Sequence, residues 1–72
     1  MKNETKYETA KYFFENKRAV HITLRNKRFH NGIILIVKND FILFDDERLG
    51  EMPLFFLEIE NIEPREPKEF GR

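Results

Sequence analysis

The 72-residue chain has no cysteine, so neither a disulfide nor a thiolate metal site can support its fold. It has no serine, which excludes a serine nucleophile. Glycine and proline are scarce, three of each, and no glycine-rich phosphate loop is present. The longest apolar run, Ile33 to Val37, has five residues, far short of the about 20 a membrane-spanning helix needs. Met1-Lys2-Asn3-Glu4 leads into a polar segment without a signal-peptide core. Internal repeats and low-complexity stretches are absent. These features predict a soluble cytoplasmic protein that is not an enzyme, needs no cofactor and engages no membrane.

Formal charge is zero but unevenly spread. Residues 1–38 carry nine Lys/Arg against three Asp/Glu, a net of +6; residues 39–72 carry four against ten, a net of −6. Such asymmetry fits a polyanion-binding surface, and equally fits basic and acidic surfaces that attract each other. A domain this small buries only about 60% of the surface its unfolded chain exposes.

Tyr7, Ala10, Phe13, Phe14 and Lys17 recur at helical spacing and predict a short helix over 5–17. Thr5 and Glu8 have capping-box spacing. Val20, Ile22 and Leu24 then alternate with His21, Thr23 and Arg25, as in a strand with one face buried. A two-residue turn at Asn26-Lys27 would pair Arg25 with Arg28, Thr23 with His30 and His21 with Gly32. One outer face would then carry His21, Thr23, Arg25, Arg28 and His30. Two histidines without a third ligand do not predict a metal site.

The second strand, 28–37, holds Gly32, which signals a bend or a close backbone approach. Lys38-Asn39-Asp40 turns into a third strand, 41–45. Residues 46–51 form a polar connection, and Leu54 to Leu57 reads as a fourth strand, apolar on both faces. Residues 58–60 are expected to turn a helical corner and 61–63 to form a fifth strand, stopped by Pro64 and Pro67. The expected fold is mainly β: a short N-terminal helix, then a five-stranded, strongly bent antiparallel SH3-like barrel. It forms one domain over 1–64, with a flexible tail over 65–72. Apolar residues on both faces of several strands predict cover from the helix or from another subunit.

Val20-x-Ile22-x-Leu24-x-Asn26, then Gly32, Val37 and Phe41-Ile42-Leu43-Phe44, resembles the Sm-like superfamily (LSm and Hfq). Ile59, Ile62 and Pro64 resemble its closing strand. The resemblance covers roughly 5–64. It implies subunits joined through strands four and five into a ring of about six or seven, binding single-stranded RNA at its pore and faces. The interface would then include Leu54, Phe55, Phe56, Leu57, Ile59 and Ile62.

Several positions depart from the family pattern. The Asp-x-x-Met-Asn signature is replaced by Lys38-Asn39-Asp40, and the Arg-Gly motif by Glu58-Ile59. Hfq's Gln-Phe pair falls on Asn39 and Asp40, its Lys-His pair on Phe56 and Leu57, and its base-stacking tyrosine on Thr23.

RNA binding requires cations for phosphates and planar or hydrogen-bonding groups for bases. The candidates are Lys17, Arg18, Arg25, Lys27, Arg28, His30, Lys38 and Asn39. Two readings stay open: an RNA-binding ring, as a chaperone or ribonucleoprotein component, and an Sm-like oligomeric scaffold that does not bind RNA.

Overall fold

The structure is a computed structural model that describes residues 2–65, with side chains from Thr5 onward. Of the expected tail, 65–72, only Arg65 falls within the described residues.

Helix α1 spans Lys2–Glu15, beginning and ending before the expected bounds. Thr5 lies inside it instead of capping it, and its carbonyl accepts the Thr9 hydroxyl at 2.9 Å. The helix ends in a Schellman motif: Arg18 N–H donates to Phe13 O (3.1 Å) and Lys17 N–H to Phe14 O (3.2 Å). The left-handed residue this motif needs is Lys17, at φ 53°. A side chain there costs about 1 kcal/mol relative to glycine. Ala10 and Phe13 enter the core while Phe14 stays exposed. Tyr7 packs edge-on against Phe56, 6.3 Å between ring centres, and Lys6 Nζ donates to Ile59 O at 2.5 Å.

Five antiparallel strands follow: β1 Ala19–Leu24, β2 Phe29–Val37, β3 Phe41–Asp46, β4 Gly50–Phe55 and β5 Ile59–Pro64, in the sheet order β4-β3-β2-β1-β5. Val20, Ile22 and Leu24 face inward as their alternation predicts. Ile34, Ile42, Phe44, Leu54 and Ile59 complete the inner face. A bulge at Leu35 re-phases β2, so both Ile34 and Val37 reach the core side while Ile33 and Ile36 face out.

Gly32 makes the bend possible. A Cβ there would overlap the Asp45 carbonyl oxygen on β3, so only glycine lets the two backbones come this close.

The second half of the chain departs from expectation. β4 begins at Gly50, inside the expected connection, and stops at Phe55. Phe56-Leu57-Glu58 forms a 3-10 turn that drops Phe56 fully into the core and leaves Leu57 71% exposed. The core takes Phe56 because the short link from β4 to β5 must turn there. β5 is correspondingly longer than 61–63, and pairing continues past Pro64, since Arg65 N–H donates to Ala19 O at 2.9 Å.

β4 and β5 are the edges of the sheet. Phe56 N–H bonds Asp40 O, and Arg65 N–H bonds Ala19 O. Hydrogen bonding alternates along antiparallel strands, so the backbones of Glu51, Pro53 and Phe55 point outward from β4. Those of Ile62 and Pro64 point outward from β5. Each proline therefore sits where its missing N–H breaks no internal bond, and each blunts a free edge. On the outer face Phe41 and Phe55 stack across strands, 5.3 Å between ring centres.

Substituting Gly32→Ala is expected to destabilise the fold by about 3 kcal/mol or more, because backbone atoms rather than a flexible side chain must move. Urea unfolding followed by circular dichroism measures this; wild-type stability in the variant would remove Gly32 as the constraint on the bend.

Candidate nucleic-acid interface

The site is set by the β1–β2 turn. Arg25-Asn26-Lys27 forms a three-residue loop: Lys27 N–H donates to Leu24 O (2.9 Å) and Leu24 N–H to Arg28 O (2.8 Å). Lys27 takes the left-handed conformation, φ 76°, and Asn26 Oδ1 accepts Arg28 N–H at 3.0 Å. The expected two-residue turn is thus one residue too short. The observed pairs are His21 with Asn31, Ile22 with His30 and Thr23 with Phe29.

A one-residue change of register exchanges the two faces of a strand. His30 and Arg28 therefore do not share an outer face with His21. His30 turns to the inner face, where its Nδ1 lies 2.7 Å from Asp46 Oδ2. Asp46 is buried, and its Oδ1 accepts the N–H groups of Arg48 (2.7 Å) and Leu49 (2.9 Å). This pair latches the β3–β4 turn to β2. Burial would raise the Asp46 pKa, but the Arg48 and Leu49 N–H groups and His30 outweigh it and hold the pKa below the ordinary aspartate value.

The outer face instead presents Phe29, 59% exposed. Its ring lies 5.1 Å from that of His21, tilted by 32°. His21 Nδ1 is 2.6 Å from Asn31 Oδ1, which fixes the imidazole beneath the phenyl ring. An exposed planar surface with a fixed amide beside it is thus built on two paired strands. Neither Phe29 nor Asn31 is among the candidates expected from the sequence. The missed signal was strand parity: with Gly32 and Ile34 inside, Phe29 and Asn31 must face out.

The other candidates fall into separate groups. Arg28 is exposed next to Phe29, and among the described residues its guanidinium has no partner. Arg25 donates through Nε to Leu57 O (2.6 Å), and Lys27 Nζ lies 3.7 Å from Glu60, so both also brace the turn against the chain near β5. Lys38 and Asn39 are exposed at the far end of β2, roughly 30 Å of strand away. Lys17 and Arg18 mark a third place, the end of α1. One subunit does not converge these groups on one point. Of the expected interface residues, Leu54, Phe56 and Ile59 are buried in the subunit's own core. Ile62 packs partly against that core, and Phe55 and Leu57 are exposed. Among the described residues, no group of three His, Asp or Glu could hold a metal ion, and no helix is long and apolar enough to cross a membrane.

No family model and no curated protein matches the sequence. Among solved structures, the chain is similar to a crystal structure of the pleiotropic translational regulator Hfq: TM-score 0.71, 12% identity, covering 81% of this chain and 95% of that one. The chain therefore has the Sm-like fold, as its helix and bent five-stranded sheet indicate.

The Asp46 latch makes stability acid-sensitive. A carboxylate with a lowered folded-state pKa stabilises the fold above its unfolded value, about 4; that contribution is lost as pH falls through the folded value. Asp46→Asn should cost about 1–3 kcal/mol at pH 7 and reduce the loss of stability between pH 7 and pH 3. Urea midpoints at the two pH values test this, and an unchanged acid dependence would assign it to another group.

Proposed function

We propose that the chain is a non-catalytic cytoplasmic RNA-binding protein that assembles into a ring and takes single-stranded RNA on its outer β1–β2 face. What carries this reading is the exposed Phe29 seated on His21. Every base offers a π-face, so such a platform binds unpaired nucleotides with little sequence preference. Arg28, next to Phe29 in the chain but directed to the other face of β2, leaves its guanidinium for phosphate at the rim of the hairpin. Asn31 lies at the platform's edge, bonded to His21. Lys38-Asn39 and Lys17-Arg18, distant within one subunit, become repeated contacts around a ring and serve as further backbone sites.

Assembly is supported by the two unlike free edges. Joining β4 of one subunit to β5 of the next is a head-to-tail contact, which closes into a ring where the rotation allows, as in the Sm-like resemblance. Pairing Phe55 with the neighbour's Ile62 gives one complete hydrogen-bonded pair, while Pro53 opposite the neighbour's Pro64 gives none. The Phe41–Phe55 stack then adds apolar contact at the junction.

Two measurements test the reading. Sedimentation should give a species several times the 8.8 kDa chain mass, and Phe55→Glu should reduce it to a folded monomer. A wild-type monomer at tens of micromolar would remove the ring. Fluorescence anisotropy with short U-rich and A-rich RNAs across a salt series should show salt-dependent binding. Phe29→Ala should weaken it by about 1–3 kcal/mol, roughly 5- to 150-fold, without unfolding the chain. An oligomer with no RNA affinity at low salt would favour the scaffold reading, to which the apolar outer face formed by Ile36, Leu43, Phe41 and Phe55 is suited.

A further inference from the structure

A groove of about 350 Å³ runs along the free edge of β5, between Thr5, Lys6 and Thr9 of α1 and Glu60, Asn61 and Ile62 of the strand. Thr5 and Thr9 stand one above the other on a single helix face. Ile62 belongs to the inner face, opposite Ile22, yet is only partly buried against the core.

Strand parity identifies what fits this groove. The outward backbone groups of β5 belong to Ile62 and Pro64, whose side chains lie on the inner face with those of Ile22 and Val20. The outward backbone groups of β4 include those of Pro53 and Phe55, whose side chains lie on the outer face. Residues directly opposite in an antiparallel ladder carry their side chains on the same face. Joining the two edges therefore runs the outer face of one subunit into the inner face of the next, the face on which α1 packs. Phe55, set opposite the neighbour's Ile62, comes to lie beside the neighbour's α1, at the groove. It is the one large apolar side chain that β4 leaves outside, 44% exposed, and Phe41 backs it at 5.3 Å. The backbone adds little, because Pro53 opposite the neighbour's Pro64 has no N–H to donate. Adhesion therefore falls to side chains.

We infer that the groove between α1 and β5 is a socket for Phe55 of a second copy of this chain. Helix α1 is then an assembly element as well as a cover for its own core: its Thr5–Thr9 face receives the neighbour while Ala10 and Phe13 stay inside. The contact has a direction, since β5 with α1 supplies the socket and β4 the plug, as a head-to-tail interface requires. It rests on the edge-to-edge assembly proposed above and is independent of the Phe29 platform.

The test is solution NMR on the full chain, reassembled from two populations. One is deuterated with labelled threonine and isoleucine methyl groups; the other carries protonated phenylalanine. Sedimentation of the same sample gives the assembly state. Magnetisation should pass between the populations, from the Phe55 ring to the methyls of Thr9 and Ile62. Thr9→Arg, at a half-buried helix position, fills the socket and should weaken association by about tenfold or more while circular dichroism stays that of the folded chain. Thr9→Val should associate as the wild type does. An oligomer without the transfer overturns the socket and leaves the ring in place. Wild-type association of a folded Thr9→Arg chain also overturns the socket. A wild-type monomer removes the assembly itself, and the socket with it. Where Thr9→Arg does not fold, the transfer in the wild type decides alone.

Discussion

Which chemistry the outer surface carries depends on the three-residue turn at Arg25-Asn26-Lys27. Lys27 takes a left-handed backbone that asparagine or glycine would adopt more easily, and the Asn26 side chain holds the loop closed through Arg28 N–H. That extra residue sets the parity of β2. It places Phe29 and Asn31 in solvent and sends His30 inward to Asp46. One residue fewer in the loop would invert both assignments, leaving a histidine outside and a phenylalanine against the carboxylate.

The bend that gives the sheet its shape is compatible with this register and no other. Val20 pairs with Gly32, and Gly32 lies against the Asp45–Asp46 backbone of β3. Shifting β2 by one residue would bring Ile33 or Asn31 to the close approach, where a Cβ has no room. The turn and the glycine therefore enforce each other from opposite ends of the hairpin, about four residue pairs apart. The buried Asp46 depends on the same register, because only a His30 on the inner face reaches its Oδ2. Its other oxygen is taken by the β3–β4 turn, so the carboxylate couples that turn to β2.

Much of the fold was legible in the sequence, and the reasons differ by element. Val20, Ile22 and Leu24 alternate so cleanly that β1 and its inward face follow directly. Gly32 in the interior of the expected second strand signalled close approach, and that is where the backbones nearly touch. The hairpin register was not legible, because lysine is an uncommon left-handed turn residue and nothing in its neighbours marks it as one. β4 was displaced for a related reason. Glu51 and Pro53 look unlike a strand, yet Pro53 occupies an outward edge position where it breaks no bond. Phe56 looked like the continuation of a strand, but the short passage to β5 turns it into the core. The site suffered more than the fold, since a one-residue error leaves the strand list intact and exchanges every side chain between faces.

The two prolines on the free edges decide how the subunit can associate. An open edge recruits any strand with matching donors and acceptors. Here β4 offers a complete outward pair of groups at Glu51 and Phe55, and β5 at Ile62, each beside a residue that can accept but not donate. A strand of arbitrary sequence docking on β4 would leave one of its carbonyls without a donor, a cost of about 1–3 kcal/mol where that group is buried. Setting Pro53 opposite the Pro64 of an identical subunit would leave both carbonyls without donors, so that Phe55 against Ile62 provides the complete hydrogen-bonded pair. The proline pair therefore weakens the ladder for like and unlike partners alike. It also shifts the burden of adhesion from backbone to side chains, which is where the stacked Phe41 and Phe55 stand.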